Sequence, residues 1–371
     1  MEFGSFMEFH AREGRSQNAD FQEAFDHIAI AEKLGLDTVW LAESHFNPSR
    51  SVLSAPLIVA AAISGKTERI NIGTAVQVLP LGNPLRIAEE VATLDHLSEG
   101  RFQFGIGRSG LPGAYEGYNI SYGESRERFF ESLEIIQEAF TKDRFSYSGK
   151  FHQYEDVCLT PKPFQKPHPP MRVAATTSET FPLLGEMGMP IFVGVRGLTL
   201  ADVSDQVKTY REALSRNGHS NGSVSLRVPV HVAESTKKAL ENCESSFMKQ
   251  FHRLGSQLGS SVGKATADSG TERSERSSRL AEIRWETIQG EKVAVGDPEK
   301  VADQLGRMIE ELGLDSIAAE FNAGEELPEP IVEESLRLFC TKVKPKLSPV
   351  SYTHLRAHET EADLVCRLLL E

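Results

Sequence analysis

Apolar and polar positions change period several times along this chain, and the changes mark its elements. Residues 69–110 read RINIGTAVQVLPLGNPLRIAEEVATLDHLSEGRFQFGIGRSG. Ile70, Ile72 and Thr74 alternate with Asn71 and Gly73, then Ala75, Val76 and Val78 follow, which predicts a strand. Asn83-Pro84 offers a capping side chain and a proline at the first helical position. Ile87, Val91, Leu94 and Leu97 recur at helical spacing, and Gly100 stands where such a helix ends. A second strand is predicted over 101–106, with Gly105, Gly107 and Gly110 around Arg108 at its carboxyl end. The unit is strand–helix–strand of the parallel type.

The same alternation runs through the rest. Further strands are predicted at 1–6, 37–42, 171–175, 191–195, 224–232 and 317–321. Helices are predicted from Asp20, in a capping box with Glu23, and over 55–63, 125–141, 200–214 and 331–343, with others opening at Thr176, Ser235 and Asp297-Pro298. Four segments stand outside the pattern. They are a glycine- and tyrosine-rich loop at 109–123, a hairpin at 145–159 turning on Gly149, a proline-rich connection at 161–170, and 255–278, rich in Ser, Gly and charge, which reads as mobile. Eight strands alternating with eight helices over about 345 residues predict a (β/α)8 barrel with insertions, an α/β TIM barrel. A doubly wound open sheet is the rival, but no dinucleotide fingerprint follows the first strand.

The 371 residues carry a net charge of −13, which argues against nucleic acid as a partner and requires that any anionic cofactor be held by local donors. No apolar run approaches the ~18 residues of a membrane span, and no signal-peptide core opens the chain. Cys158, Cys243, Cys340 and Cys366 lack metal spacing, so no metal site is expected, and reduced thiols in the cytoplasm are the default. Residues 348–371, including SYTHLRAHETEADLVCRLLLE, resemble translated adapter sequence and are expected to be disordered, leaving a single domain at 1–347.

At the carboxyl ends of parallel strands, glycine admits a ligand to the backbone and arginine grips phosphate with a fork of donors. The loop around Arg108 fits that role, or simply a tight turn with a surface arginine. Glu43, Ser44, His45 and Phe46 end the second predicted strand; His45 is the side chain there that exchanges a proton near neutrality, or a histidine that shapes its loop.

The run from Gly73 to Gly110, together with LGLDTVWLAESHF at 34–46, resembles the bacterial luciferase-like flavin-dependent monooxygenases (alkanal monooxygenase-like), and the similarity extends in order over 1–347, weakening near 255–290. The resemblance implies an enzyme that oxidises a small organic substrate with reduced FMN and oxygen through a flavin hydroperoxide, its flavin supplied by a separate flavin reductase, and working as a cytoplasmic homodimer. It implies catalytic roles for Ser44 and His45, although Ser44 stands where the luciferases carry the catalytic histidine. It implies that Ala75, next to Thr74, lies under the flavin ring, often through a non-proline cis bond, and that the amide of Gly110 approaches the ring. Arg108, Thr177 and Thr180 match phosphate-binding positions, and Thr176 replaces a luciferase glutamate. In such barrels 255–278 corresponds to a lid, the alternative being a plain insertion. Two other functions stay open: a deazaflavin-dependent oxidoreductase of the same fold, and a non-catalytic flavin-binding protein, which the full set of eight strand–helix units disfavours.

Overall fold

Eight parallel strands close into a ring in the computed structural model, which describes residues 1–195, 197–220, 222–264 and 267–347. They are β1 Glu2–Met7, β2 Thr38–Leu41, β3 Asn71–Thr74, β4 Phe102–Gly107, β5 Met171–Ala174, β6 Ile191–Gly194, β7 Val224–Val232 and β8 Ser316–Glu320. Each pairs with its neighbours in sequence order, and β8 pairs with β1 to complete the ring. Strands buried on both faces suit a parallel barrel, and β2 and β8 are buried at every position. This is the (β/α)8 barrel read from the alternation, and the open doubly wound sheet is excluded.

The surrounding helices are α1 Gln17–Lys33, α2 Pro56–Ser64, α3 Pro84–Leu97, α4 Ser125–Thr141, α5 Thr180–Glu186, α6 Leu200–Arg216, α7 Thr236–Ser261, α8 Ala267–Ala281, α9 Pro298–Leu312 and α10 Glu329–Leu338. Local chemistry sets their starts. Asn83 accepts from the amides of Leu85 and Arg86, Asp297 from Glu299 and Lys300, and Ser235 from Lys238. For α1 the cap is Ser16, which accepts from Ala19; Asp20 lies inside the first turn and is buried, so the expected Asp20–Glu23 box does not form.

Two glycines set how closely the strands nest. A Cβ on Gly105 would lie 1.9 Å from the carbonyl oxygen of Thr74, and one on Gly73 would lie 2.2 Å from the Trp40 ring. Inside the ring, Phe6, Trp40, Ala42, Phe192 and Ala318 form a cluster of their own, joined by Ala75 and Val76. Trp40 meets Phe192 edge-on at 4.8 Å.

The hairpin at 145–159 is present as Phe145–Ser148 against Gln153–Val157. The loop at 109–123 contains a helical stretch, Pro112–Gly117, that its composition did not announce. The segment 255–278 differs most from expectation. Outside residues 265 and 266 it is helical: α7 runs on to Ser261, and α8 folds back against it. Gly255 permits the contact, since a Cβ there would meet the Leu280 side chain at 3.0 Å. Arg273 and Arg276 are buried, so the segment's charge does not mean solvent. The adapter-like stretch 348–371 lies outside the described residues. Among the described residues no helix is long and apolar enough to cross a membrane.

Candidate functional site

A large cleft of about 280 Å³ opens at the carboxyl ends of the strands. Ligand pockets commonly span roughly 300–1,000 Å³, and this one stands close to the lower end of that range. Its floor is the inner cluster of Phe6, Ala42, Ala75, Val76, Phe192 and Ala318: small or flat side chains suited to a planar ring. A cis peptide bond joins Ala75 to Val76, one residue beyond the Thr74–Ala75 pair.

One side of the cleft is cationic. Arg108 follows β4 and lines the cleft, and among the described residues its guanidinium makes no hydrogen bond or ion pair, although its carbonyl accepts from the Tyr115 hydroxyl. Thr176 and Thr180 face it from the end of β5 and the start of α5. Thr177 is not on the cleft surface; it is buried behind it, its hydroxyl 2.7 Å from that of Thr180. Gly110 lines the cleft, and its carbonyl accepts from Arg273 at 3.2 Å. Arg273 also donates to Ser261 and Tyr122, while Arg276 donates to the Thr176 carbonyl and to Glu272. The α7–α8 hairpin is thus bonded to both loops that carry the candidate anion site. Burial pushes the affinity of Arg276 for its proton below the usual arginine range, opposed by Glu272, and lowers that of Lys292, which also faces the cleft.

The two expected catalytic residues stand back from this surface. Ser44 is tied through its amide to the Leu53 carbonyl at 2.9 Å. The His45 side chain is buried; its Nε2 lies 2.6 Å from Glu43 Oε1, and its Nδ1 lies 3.4 Å from the Tyr118 hydroxyl. Glu43, whose other oxygen accepts from the Val78 amide at 2.8 Å, is the member of this group on the cleft. The arrangement can pass a proton between His45 and the cleft through Glu43.

The opposite wall holds a charge network that sequence reading missed. Arg50 donates to Glu8 at 2.9 Å; Arg227 reaches Glu8 at 3.3 Å and grips Glu320 with contacts of 3.0 and 2.9 Å. Gln250 adds bonds to Glu320, and the Arg227 guanidinium stacks 3.5 Å from the centre of the Phe6 ring. Burial works to raise the Glu8 carboxyl, but Arg50 and Arg227 outweigh it and hold the group well below the usual carboxylate range. Glu8, His10 and Glu325 bring ligand atoms within 4.8 Å of one another, yet Arg50 and Arg227 already neutralise Glu8, and Arg253 donates to Glu325 at 2.7 Å. A dication there would meet three guanidinium groups, so no metal site is assigned. The available signal was positional and partial: Glu8 and Glu320 sit at or just past the carboxyl ends of predicted strands, whereas Arg227 lies inside one.

The luciferase-like monooxygenase family model matches residues 1–316. The alkanal monooxygenase alpha chain of Photorhabdus luminescens is 26% identical over 363 residues, covering 94% of this chain and 97% of that protein. Protein y4vJ of Sinorhizobium fredii is 30% identical over 195 residues, a match that spans 52% of this chain and about half, 55%, of y4vJ. Among solved structures, the oxygenating constituent of 3,6-diketocamphane monooxygenase from Pseudomonas putida, in complex with FMN, superposes with a TM-score of 0.77 at 21% identity, covering 94% of this chain and 99% of that one. The coenzyme F420-dependent tetrahydromethanopterin reductase of Methanopyrus kandleri does so at 0.70 and 16% identity, covering 93% and 99%. With the closed barrel and its cleft, these matches lead to one assignment: the chain belongs to the luciferase-like monooxygenase family.

Proposed function

We propose that this protein is a flavin-dependent monooxygenase that takes reduced FMN from a separate reductase and uses molecular oxygen to oxidise a small organic substrate in the cytoplasm. The observation that carries the reading is an arginine, Arg108, without a hydrogen-bond or ion-pair partner among the described residues, lining a cleft whose floor is flat and apolar. An unpaired guanidinium there suits a phosphate, and the floor beside it suits a tricyclic ring.

In this reading Arg108 and the hydroxyl of Thr180 bind the phosphate, Thr177 orients Thr180, and the Thr176 backbone completes the rim. Ala75 and the Gly110 amide border the ring. When bound, the flavin supplies the activation of oxygen. The chain supplies the rest. The α7–α8 hairpin, bonded through Arg273 and Arg276 to Gly110 and Thr176, keeps water off the cleft. His45 holds a proton at Nε2 against Glu43 and acts on the cleft through that carboxylate, so it is a positioning residue; Ser44 keeps the loop tied to the Leu53 carbonyl. A homodimer is part of the same reading.

The test is oxygen consumption on adding photoreduced FMN to the protein with a panel of ketones, aldehydes and aromatic substrates. Substrate-dependent uptake with an oxygenated product supports the reading. Turnover only with a reduced deazaflavin, and without oxygen, would favour a deazaflavin-dependent oxidoreductase of the same fold instead.

A further inference from the structure

A second, smaller cavity of about 60 Å³ lies outside the cleft, against β1, α1 and α10. One water needs roughly 10–15 Å³ on this measure, so the cavity has room for an occupant of only a few heavy atoms. Its lining is one-sided in charge. Glu8, Asp20, Glu23, Glu329 and Glu333 contribute carboxylates, and neither lysine nor arginine lines it. Phe6, Phe9 and Phe321 supply aromatic surface, and Ile30 and Val332 aliphatic surface.

Not all of these acids are available. Glu8 is neutralised from the cleft side by Arg50 and Arg227, and Glu23 is held by Arg12 and Arg15. Two carboxylates remain without a cation, and a third, Asp20, meets only Arg15, at the outer limit of an ion pair. Glu329 and Glu333 are exposed at the cavity, and no hydrogen bond or ion pair engages either among the described residues. Asp20 is 3% exposed, yet its Oδ1 has no hydrogen-bond partner; the nearest cation, Arg15 Nε, is 4.0 Å away. A buried carboxylate oxygen left unmatched is costly and points to a missing donor. Nor do the cavity's histidines supply a positive charge. Burial pushes His27 down to about 4 and lowers His10, although Glu8 and Glu325 oppose the shift at His10.

We propose that this cavity binds a small organic cation, an alkylammonium with its head group on Asp20 and its carbon body against the phenylalanine rings. The aromatic and aliphatic lining favours an amine over a metal ion. Asp20 and His27 also stand outside the one group of residues, among those described, whose ligand atoms lie close enough together to hold a metal. Glu8 and Phe6 belong to both cavities, so an occupant here would touch the back of the flavin cleft's wall.

The experiment is calorimetric titration of the full chain with n-butylammonium and putrescine, against n-butanol, butyrate and calcium chloride. Saturable binding of the amines is expected, with no heat from the alcohol or the carboxylate. Asp20→Asn keeps the shape and removes the charge, and should weaken binding roughly tenfold or more, as loss of a charge-assisted bond does. The surface pair Glu329→Gln/Glu333→Gln, which leaves the packing alone, should weaken it severalfold even if Asp20→Asn folds poorly. FMN affinity should be unchanged in the surface pair, so failure here is distinct from failure of the flavin site. No amine binding to the wild type, binding of calcium instead, or undiminished amine binding in both variants would each overturn the proposal.

Discussion

Replacing Arg108 by alanine should weaken FMN binding far more than riboflavin binding. Arg108 is the cleft cation whose guanidinium has no hydrogen-bond or ion-pair partner among the described residues. The others are engaged: Arg50 with Glu8, Arg227 with Glu320, Arg253 with Glu325, Lys292 with the Leu198 carbonyl, Arg126 with Glu179, Arg273 with Gly110, Ser261 and Tyr122, and Arg276 with Thr176 and Glu272. None is free to take over without giving up existing bonds. Hydrogen bonds to charged groups contribute about 1.5–3 kcal/mol, so the loss for FMN should be roughly tenfold to 150-fold. Riboflavin lacks the phosphate and should lose less than about threefold, since only ring and ribityl contacts remain. Quenching of flavin fluorescence gives both dissociation constants. Repeating the titration at high salt should shrink the wild-type preference for FMN and leave the variant nearly unaffected. Equal losses for both flavins would refute the assignment of phosphate to Arg108.

Three other outcomes follow from named contacts. Gly105→Ala would press a methyl group into the Thr74 carbonyl, 1.9 Å from the Cβ position, and should cost on the order of 1–3 kcal/mol, read as a lower urea midpoint; an unchanged midpoint would mean the strands are less tightly nested than they stand. His231 is fully buried, and burial takes its pKa from 6.5 to about 4, so the unfolded chain binds the extra proton first and stability falls as pH drops from about 6.5 toward 4, by up to about 3 kcal/mol. In His231→Gln that acid-side loss should be smaller when unfolding is compared at pH 7 and pH 5, and an identical loss would contradict the neutral, buried state. His45→Ala should lower product yield by ~10²-fold or more, with FMN affinity retained; an unchanged yield would leave His45 as a loop residue bonded to Glu43.

What the sequence revealed was local. Asn83, Asp297 and Ser235 cap helices because capping depends on a few neighbouring residues, and the strands were legible because alternation and apolar runs are read within one segment. What escaped was assembled from distant parts. The network joining Glu8, Arg50, Arg227 and Glu320 comes from β1, the loop after β2, β7 and β8, and no spacing along the chain brings them together. The α7–α8 hairpin was hidden for another reason: its arginines count as solvent-loving in composition, whereas Arg273 and Arg276 are buried against backbone carbonyls at the cleft. At the candidate site the residues expected to hold a flavin, Ala75, Arg108, Gly110, Thr176 and Thr180, converge on one surface because each follows a barrel strand at the same end. His45 was read as facing the chemistry directly, and the structure interposes Glu43 between it and the cleft.

The most direct test of the central claim is a crystal structure of this chain soaked with FMN. The account predicts the phosphate within hydrogen-bond distance of the Arg108 guanidinium and the Thr180 hydroxyl, with the ring over Ala75 and Val76. A phosphate lodged elsewhere, or a ring that leaves that floor uncovered, would contradict it.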